Sequence, residues 1–558
     1  MKMRGAKILV ESLKRAGVEV IFGISGGAVM HITDDLYDEQ GIRFINTRHE
    51  QGAAHAADGY ARSTGKVGVA MATSGPGATN LTTGIATAYM DSIPIVTITG
   101  QVMTHLIGND AFQEADVIGI TRPICKHSFL IKDVNEVSEV VAEAFHIAST
   151  GRPGPVVIDF AKDAQMEETI FQYPEKVNIR GYNPRYEGHP KQIAHAVELI
   201  NNAKRPMIYA GGGIISSEAS AELREFVEKT GIPITVTLTG LGAFPETHPL
   251  SLKMPGMHGS CYANYAFMET DLVIAIGARF EDRVTGRVDR FAPKAQIIHV
   301  DIDPCSIGKN VRVDVPVVGD ARRVLIEMNK LVKKPDIQPW LRQINSWKEE
   351  YPFKYSWDDD KIMPQFVIEQ IYEATKGEAI IVTDVGQHQM WSAQYYQYSI
   401  PRHFLSSGGL GTMGYGLPAA IGAQIGCPDK LVVNINGDGS FMMNVQELVT
   451  IASRKLPVKV MIINNGRLGM VRQWQELFFN KRYSVSVLHD NPDFAKVAEA
   501  FGVTGIKVTQ IDEVRPAIEK ALRIDGPVVI DFIVSSEANV YPMVPSGAAL
   551  NEMIGGLA

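Results

Sequence analysis

The chain has 558 residues, of which 45% are hydrophobic and 21% charged, as expected for several globular domains and not for a small binding module or a disordered chain. Its formal net charge is -8 and no block is rich in lysine and arginine, which argues against a nucleic-acid-binding protein. We therefore expect small-molecule ligands.

The four cysteines, Cys125, Cys261, Cys305 and Cys427, lie far apart and form no CxxC pair. This spacing predicts neither a zinc knuckle nor a dense disulfide framework, and it suits a reducing compartment. The N-terminal segment leads directly into helix and strand patterning without an apolar signal core, and no apolar run is long enough to span a membrane. We expect a cytoplasmic protein that contacts no membrane.

Short apolar runs that end in Gly, Asp or Asn alternate with longer amphipathic stretches, a pattern typical of buried parallel strands joined by helices. The predicted strands form three sets: 18–24, 67–75, 94–100 and 155–160; 206–213, 233–238, 271–277 and 296–303; 379–386, 431–439, 458–465 and 527–534. A further strand is expected to end at Asn46. A polar connection near 165–190 separates the first two sets.

The sets predict an α/β fold with three doubly wound parallel-sheet domains, at 1–165, 190–332 and 360–536, followed by a C-terminal tail at 537–558. Residues 333–360, which are charged and contain tryptophan, are predicted to form a surface linker.

The heptapeptide GPVVIDF occurs twice, at 154–160 and at 526–532. One interpretation is coincidence, because buried strands draw on few residue types. The other is that the first and third domains are related, with the middle domain inserted between them. We favour the second interpretation, in which each outer domain supplies half of one composite site.

The motif GDGSFMMNVQELVTIASRKLPVKVMIINN carries the clearest chemical signal, because Asp438 follows one apolar strand and Asn465 ends the next. Ligands of open parallel sheets bind beyond the carboxyl ends of the strands, so these two side chains are expected to converge. A carboxylate, an amide oxygen and a backbone carbonyl suit magnesium that shares phosphate oxygens with a diphosphate ligand. Gly439 and Ser440 open the following helix, whose N-terminus favours an anion. A lone GDG is usually only a turn; the paired motif favours the metal site.

In this pair of motifs the chain resembles the thiamine diphosphate enzymes. The resemblance implies thiamine diphosphate and Mg²⁺ as cofactors, with the metal held by Asp438, Asn465 and the backbone oxygen of Arg467. It also covers RHEQGAAHAADGYAR, which contains Glu50. Alone, Glu50 would be interpreted as a solvated carboxylate at a helix start. The resemblance instead implies that Glu50 takes part in the proton relay that lets C2 of the cofactor ionise.

The family builds its site across a dimer interface, with the glutamate from one chain and the metal from the other, which implies a homodimer or a dimer of dimers. The segments GQHQMW at 386–391 and GGLGTMGYGLP at 408–418 are similar to those that hold the cofactor. The cofactor contacts implied in the third domain are Gln387, His388, Gly411, Met413, Gly437, Gly439, Ser440 and Met470.

Four segments closely resemble FAD-binding segments of the acetohydroxyacid synthase branch: GRPGP at 151–155, MPGMHG at 254–259, GARFEDRVTG at 277–286 and HVDIDPCSIGKN at 299–310. Glycine-rich turns let backbone approach a pyrophosphate, and acidic residues after a strand can bind ribose, whereas the GGG at 211–213 alone would be weak evidence. The implied FAD contacts are Arg152, Gly211, Gly212, Gly213, Thr239, Leu241, Met257, His258, Gly277, Ala278, Arg279, Asp301, Ile302, Gly319 and Asp320.

The resemblance also covers the substrate. Trp474 matches the pocket for the second 2-ketoacid, with Met470 beside it, and Arg283 matches the residue that binds its carboxylate, for which a guanidinium is suited. Without the surrounding motifs, Trp474 would be interpreted as packing and Arg283 as a surface ion pair. The implied catalytic positions of the first domain are Gly27, Glu50, Phe112, Gln113 and Lys162.

The implied reaction decarboxylates pyruvate and joins the hydroxyethyl group to a second pyruvate, giving acetolactate, or to 2-ketobutyrate, giving acetohydroxybutyrate. This is the first common step of branched-chain amino acid biosynthesis, and FAD undergoes no net redox change. A small regulatory subunit is implied as a partner.

The chain departs from the family pattern at Ile24 and Ser25, where Tyr-Pro is usual, at Pro255, where Leu is usual, and at Ala161, where Pro is usual. Three alternatives stay open at this point. One is a pyruvate oxidase, in which FAD accepts electrons, and another is a catabolic acetolactate synthase without FAD. The third, a non-catalytic regulatory paralogue, is expected to have lost Asp438, Asn465 or Glu50, and this chain keeps all three.

Overall fold

The computed structural model describes residues 2–358 and 360–555. Three parallel sheets follow one another along the chain, each covered by helices. This confirms the predicted fold class. No helix of the described ranges has both the length and the apolar character needed to cross a membrane.

The first domain has a six-stranded parallel sheet in the order β3-β2-β4-β5-β7-β6, with β1 and β8 forming a separate antiparallel pair. Its strands are β1 (Lys2–Arg4), β2 (Val20–Gly23), β3 (Arg43–Asn46), β4 (Gly68–Ala72), β5 (Ile95–Gln101), β6 (His127–Ile131), β7 (Val156–Ala161) and β8 (Glu168–Ile170). Its helices are α1 (Gly5–Arg15), α2 (Met30–Tyr37), α3 (Glu50–Thr64), α4 (Pro76–Asn80), α5 (Thr82–Asp91), α6 (Val117–Thr121), α7 (Val137–Ser149) and α8 (Lys162–Met166).

The second domain has a five-stranded parallel sheet in the order β10-β9-β11-β12-β13. Its strands are β9 (Pro206–Ala210), β10 (Ile234–Val236), β11 (Leu272–Ile276), β12 (Gln296–Asp301) and β13 (Val315–Val318). Its helices are α9 (Pro190–Asn202), α10 (Gly212–Ser216), α11 (Ser220–Thr230), α12 (Cys261–Glu269), α13 (Asp282–Thr285), α14 (Ala321–Leu331) and α15 (Gln338–Glu350).

The prediction of a surface linker at 333–360 is wrong for its central part, which forms α15. Trp340 is only 3% exposed, and its indole nitrogen donates to the carbonyl of Pro206 at the start of β9 over 3.1 Å. Ile344 is buried on the same helix. The charged residues occupy the opposite, solvated face. Because they dominate the composition of this stretch, the apolar stripe was not recognised in the sequence.

The third domain has a six-stranded parallel sheet in the order β15-β14-β16-β17-β19-β18. Its strands are β14 (Ile380–Thr383), β15 (Phe404–Leu405), β16 (Val432–Gly437), β17 (Lys459–Asn464), β18 (Thr504–Val508) and β19 (Val528–Ile533). Its helices are α16 (Pro364–Thr375), α17 (Gln387–Tyr395), α18 (Gly416–Gly426), α19 (Asp438–Phe441), α20 (Leu448–Ser453), α21 (Gly469–Phe478), α22 (Phe494–Ala500) and α23 (Val514–Arg523).

The first and third sheets have the same strand order, and the repeated heptapeptide leads into β7 in one and β19 in the other. These two strands occupy equivalent places, second from one edge of each sheet. The two outer domains therefore share one topology, as expected if they are related.

Helices α3 and α18 pack the first domain against the third within one chain. Glycine makes this close approach possible, because a Cβ atom at Gly59 would lie 2.1 Å from the carbonyl oxygen of Ala419. A Cβ atom at Gly422 would lie 1.8 Å from the carbonyl oxygen of Ala56. The many small residues of α3 thus serve helix packing, which fixes Glu50, its first residue, relative to the third domain.

Candidate active site

A cleft opens at the carboxyl edge of the third sheet, where β14, β16 and β17 end. The residues that line it come from this domain alone: Val385, Gly386, Gln387, His388, Trp391, Met413, Gly437, Asp438, Gly439, Ser440, Ile463, Asn465, Arg467, Leu468, Gly469, Met470 and Val471. The structure therefore brings together the residues predicted here for metal and cofactor, with the exception of Gly411. Gly411 lies in the neighbouring 408–416 turn at a φ of 69°.

Asp438 and Asn465 provide oxygen atoms at the ends of adjacent strands. Asp438 is 1% exposed, and burial raises the pKa of its carboxyl to about 6 although Asn491 donates to it over 2.6 Å. The side-chain oxygen of Asn465 accepts from the backbone N–H of Arg467 over 3.1 Å, which shapes the turn after β17. A buried carboxylate whose ionised form is disfavoured is stabilised by a cation, so these residues fit a magnesium ion.

Only one acidic side chain contributes to this set. Within residues 2–358 and 360–555, no group of three or more His, Cys, Asp or Glu side chains is arranged to hold a metal. A divalent cation held by one carboxylate and neutral oxygens needs further anionic ligands, which phosphate groups supply.

His388 lies at the back of the cleft, 5% exposed, and its Nε2 atom has no hydrogen-bond partner. Burial lowers its pKa to about 3, so the imidazole is neutral at physiological pH. A Cβ atom on Gly437 would lie 2.8 Å from Nδ1 of His388, so glycine is needed where the strand passes the ring. A buried nitrogen without a partner indicates a polar ligand in this cleft.

Gln387 lines the cleft, and its side chain also forms hydrogen bonds within the protein. Its amide nitrogen donates to Oε1 of Gln473 over 2.9 Å and to the carbonyl of Ala538 over 3.1 Å. Its amide oxygen accepts from Asn465 over 3.2 Å. Gln387 therefore joins the turn after β17 to α21 and to the C-terminal tail, and its contact with the cofactor stays a prediction.

Asp384, which the sequence analysis missed, holds the segment that carries Met413. This buried carboxylate accepts from the backbone N–H groups of Gly414 over 2.9 Å and Gly416 over 2.7 Å. Asn444 donates to the carbonyl of Gly414 over 2.6 Å. The available signal was position, because Asp384 directly follows β14 at the same sheet edge as Asp438.

Glu50 begins α3 in the first domain, at the carboxyl edge of its sheet. Asn80 donates to the Glu50 carboxylate over 2.9 Å, and a Cβ atom on Gly77 would lie 3.4 Å from it. The backbone of Gln113 lies against the same turn, since a Cβ atom on Gly75 would be 2.7 Å from its carbonyl oxygen. The structure thus gathers Glu50 and Gln113 around the 74–80 turn.

The remaining predicted catalytic residues of the first domain face outward. Phe112 is 89% exposed and Gly27 is also exposed, while Lys162 is half-buried at the start of α8. Lys162 precedes Asp163, whose carboxylate accepts from the backbone N–H and the hydroxyl of Thr104 over 3.0 Å. Phe112 therefore presents a large apolar side chain to solvent directly before Gln113.

Glu447, also missed from the sequence, connects the two outer domains beside Glu50. Its buried carboxylate accepts from the backbone N–H groups of Arg48 over 2.8 Å and His49 over 3.2 Å, and from the hydroxyl of Thr450 over 2.7 Å. Burial raises the pKa of this carboxyl. Glu447 therefore fixes the turn from which α3 begins.

A second cleft lies at the carboxyl edge of the middle sheet. The first domain closes one side of it through Asp91, Ser92 and Arg152, and Arg152 forms an ion pair with Asp303 at 3.2 Å. The predicted residues that line it are Arg152, Gly212, Gly213, Thr239, Gly277, Ala278, Arg279, Asp301, Ile302, Gly319 and Asp320.

Four predicted residues do not line this cleft. Gly211 packs behind it, where a Cβ atom would lie 2.3 Å from the carbonyl oxygen of Gly277, and Leu241 is buried. His258 is 5% exposed, and its Nδ1 atom has no partner. Met257 lines a small neighbouring cleft. The glycines therefore divide into Gly211, which packs against a neighbouring strand end, and those that line the cleft.

Arg283 and Trp474 lie on different elements. Arg283 is largely exposed and lines the small cleft of Met257 together with residues 544–547, whereas Trp474 is half-buried on α21. The tail connects the two regions. Arg472, fully buried on α21, donates to the carbonyl of Ala538 over 3.0 Å, and the N–H of Val544 donates to the carbonyl of Met257 over 2.8 Å.

The chain matches three family descriptions along its length. Residues 3–120 match "Thiamine pyrophosphate enzyme, N-terminal TPP binding domain", residues 193–328 match the central domain and residues 384–532 match the C-terminal TPP binding domain of the same enzymes.

Several curated proteins are similar over nearly the whole chain. The "Acetolactate synthase large subunit" of Corynebacterium glutamicum is 51% identical over 99% of this chain and 90% of its own length. The "Acetolactate synthase" of Mycobacterium bovis is 50% identical over 99% and 91%. The "Acetolactate synthase large subunit" of Haemophilus influenzae is 47% identical over 99% and 98%.

Proposed function

This chain belongs to the acetolactate synthase family of thiamine pyrophosphate enzymes, and from that premise we propose how its residues carry out the reaction. The enzyme is a thiamine diphosphate-dependent carboligase. We propose that it decarboxylates pyruvate and joins the resulting two-carbon unit to a second pyruvate or to 2-ketobutyrate. The observation that carries this proposal is the cleft of the third domain, in which the buried Asp438 and His388 both need a polar ligand.

Asp438, Asn465 and the backbone oxygen of Arg467 would hold Mg²⁺, while His388, Gly439 and Ser440 would bind the diphosphate. Thiamine diphosphate supplies the electron sink for decarboxylation, and the metal balances its diphosphate charge. The protein's part is to orient both groups. Asp384 and Asn444 contribute by fixing the backbone of Gly414 and Gly416, just after Met413.

Glu50 would hold and transfer the proton that activates the cofactor. Its carboxylate is oriented by Asn80 on one side, and its backbone by the contacts of Glu447 to the preceding turn. A carboxyl group in such a position can donate and accept a proton repeatedly, which an amide cannot.

We propose that two copies of the chain form each site. Among the described residues, the cleft of the third domain is lined by positions between Val385 and Val471, and Glu50 has its contacts with Asn80 and the 74–80 turn of the first domain. Phe112 is exposed beside the Glu50 cluster. A second copy would bring Glu50, Phe112 and Gln113 to the cleft of its partner, forming a two-fold dimer with two equivalent sites.

The middle cleft would bind FAD, with Arg152 and the glycine turns at the dinucleotide phosphates and Asp301 or Asp320 at the ribose. His258, neutral because burial lowers its pKa to about 4, does not line this cleft, and its contact with FAD stays a prediction. We further propose a small regulatory subunit as a partner, in keeping with the name "large subunit" of the relatives.

Filling the middle cleft should remove the flavin. Gly212→Val places a side chain in the cleft without a severe backbone clash, since a Cβ atom there would lie 3.1 Å from the Thr239 hydroxyl. Flavin absorbance of the purified variant should fall at least about tenfold, while affinity for thiamine diphosphate is retained. Flavin content equal to that of the wild-type protein would assign the cleft to another ligand.

Trp474 and Arg283 should control the acceptor. One methylene in an apolar pocket is worth roughly 1 to 3 kcal/mol, so the enzyme should prefer 2-ketobutyrate to pyruvate by about 10-fold to 200-fold. Trp474→Leu should erode this preference more than it lowers turnover, whereas Arg283→Lys, which loses the bidentate fork, should weaken the use of both acceptors. Both ketoacids are supplied together and the products quantified. An unchanged product ratio in Trp474→Leu would remove Trp474 from the acceptor pocket.

The proposed function is tested by incubating the purified protein with thiamine diphosphate, Mg²⁺, FAD and pyruvate and identifying the products. We expect acetolactate with no consumption of oxygen or quinone. Acetate formed together with reduction of oxygen or quinone would instead identify a pyruvate oxidase.

A further inference from the structure

A buried carboxylate, Asp159, occupies the end of β7 in the first domain and belongs to none of the groups described above. Asp159 is 1% exposed. Its Oδ1 atom accepts from the hydroxyl of Thr99 over 2.7 Å, and its Oδ2 atom accepts from the amide of Gln101 over 2.9 Å. Burial raises its pKa to about 7, and the two donors oppose that rise.

Gln101 connects Asp159 to the segment 102–116, which contains Phe112 and Gln113. Besides Asp159, its amide nitrogen donates to the carbonyl of Ala115 over 2.9 Å, and its amide oxygen accepts from the N–H of Val102 over 2.8 Å. The Gln101 side chain therefore bonds to both ends of the segment, at Val102 and at Ala115. Gln101 therefore holds the two ends of the segment together, and Asp159 in turn holds Gln101 in place.

The third domain has an equivalent pair, in which an aspartate accepts a hydrogen bond from an amide side chain on the neighbouring strand. In the first sheet, Thr99 of β5 lies opposite Asp159 of β7, and Gln101 follows Thr99 by two residues. In the third sheet, Ile462 of β17 lies opposite Asp531 of β19, and Asn464 follows Ile462 by two residues. The amide of Asn464 donates to Asp531 over 2.9 Å.

Asn464 in turn accepts from the N–H of Gly466 over 3.1 Å and precedes Asn465. The pair thus shapes the metal turn in the third domain. The equivalent pair in the first domain meets the segment of Phe112 and Gln113, which indicates the same structural task at the other half of the site.

We propose that Asp159 is a positioning residue for the segment 102–116: its carboxyl orients Gln101, which fixes Ala115 and so determines where Phe112 and Gln113 stand. The effect on catalysis rests on the proposed function, in which those two residues meet the substrate. The effect on the mobility of the segment is independent of the proposed function. Two readouts therefore separate the two claims.

The first readout is amide hydrogen exchange of peptides from 102–116 in the full-length protein. Asp159→Leu leaves the Gln101 amide without its buried acceptor, so the segment should exchange at least about tenfold faster. Asp159→Asn should restore the wild-type rate, because its oxygen can accept from Gln101 and its nitrogen can donate to Thr99. Should Asp159→Leu fold poorly, Gln101→Met removes the same anchor from the other side and should give the same faster exchange.

The matched control is Ile158→Ala, on the same strand but facing the apolar core on the other side of the sheet. It should lower thermal stability without changing exchange in 102–116. The proposal is overturned if Asp159→Leu and Gln101→Met leave the exchange unchanged, if Ile158→Ala accelerates it equally, or if Asp159→Asn fails to restore it.

The second readout is kcat/KM for acetolactate formation. It should fall at least about tenfold in Asp159→Leu and recover in Asp159→Asn, since a displacement of about 1 Å in a positioning group has effects of this size. Hydrogen exchange at C2 of the bound cofactor, which depends on Glu50, should stay at the wild-type rate in both. Faster exchange of the segment in Asp159→Leu with unchanged kcat/KM would overturn the catalytic part of the proposal. A wild-type protein that forms no acetolactate would refute the proposed function and leave the exchange result standing.

Discussion

Replacing Asp438 with alanine should abolish activity by removing magnesium and thiamine diphosphate together. Among the described residues that line the cleft, Asp438 is the only carboxylate, so without it the metal would have neutral protein ligands and the diphosphate charge would not be compensated. Changes to residues that only support a metal ligand weaken binding about 10-fold to 100-fold, and loss of the ligand itself should exceed about 100-fold. Calorimetric titration of the cofactor in the presence of Mg²⁺ measures this affinity.

The matched control is Asp490→Asn, which removes an exposed carboxylate beside Asn491 in the loop that reaches Asp438. Its cofactor affinity should equal that of the wild-type protein. Asp438→Ala with unchanged affinity would show that Asp438 does not belong to the metal site.

The variant Glu50→Gln should separate binding from activation. The amide oxygen of glutamine can still accept from Asn80, so the local structure and the affinity for cofactor should be retained. Because an amide cannot exchange the proton, C2 exchange and kcat should both fall about 10²-fold to 10⁴-fold. Proton–deuterium exchange at C2 of the bound cofactor reports the first step directly.

Glu139→Gln makes the same chemical change on the exposed face of α7 and should leave both rates unchanged. A wild-type exchange rate in Glu50→Gln would contradict the assignment of the proton relay.

The strands predicted from apolar runs are present, because buried parallel strands are continuous in valine and isoleucine and the runs show directly in the sequence. The edge strands β6, β13, β15 and β18 were not predicted because they are short or mixed with polar residues, and their pairing is decided by the neighbouring strand. Helix α15 was missed for a related reason, since its apolar residues are few and meet β9 only in the folded domain.

The cofactor cleft could be predicted because its residues belong to short motifs at strand ends. The roles of Glu447 and Asp159 could not, because each acts on backbone or side chains far away in sequence, whereas Asp384 had only its position after β14 as a signal. Glu447, for example, meets Arg48 and His49 across two domains. The internal hydrogen bonds of Gln387 could not be predicted either, because Gln473 and Ala538 are distant in sequence, and its contact with the cofactor stays a prediction.

The central claim is that Glu50 of one chain serves the metal cleft of another, and complementation tests it most directly. Two inactive variants, Glu50→Gln and Asp438→Ala, are co-expressed with different affinity tags, and the mixed dimer is purified by both tags. If sites are shared between chains, one site of each mixed dimer combines an intact Glu50 with an intact Asp438, and acetolactate formation should recover to about half of the wild-type rate. If each chain built its own site, both sites would carry a lesion, and a mixed dimer without activity would contradict the account.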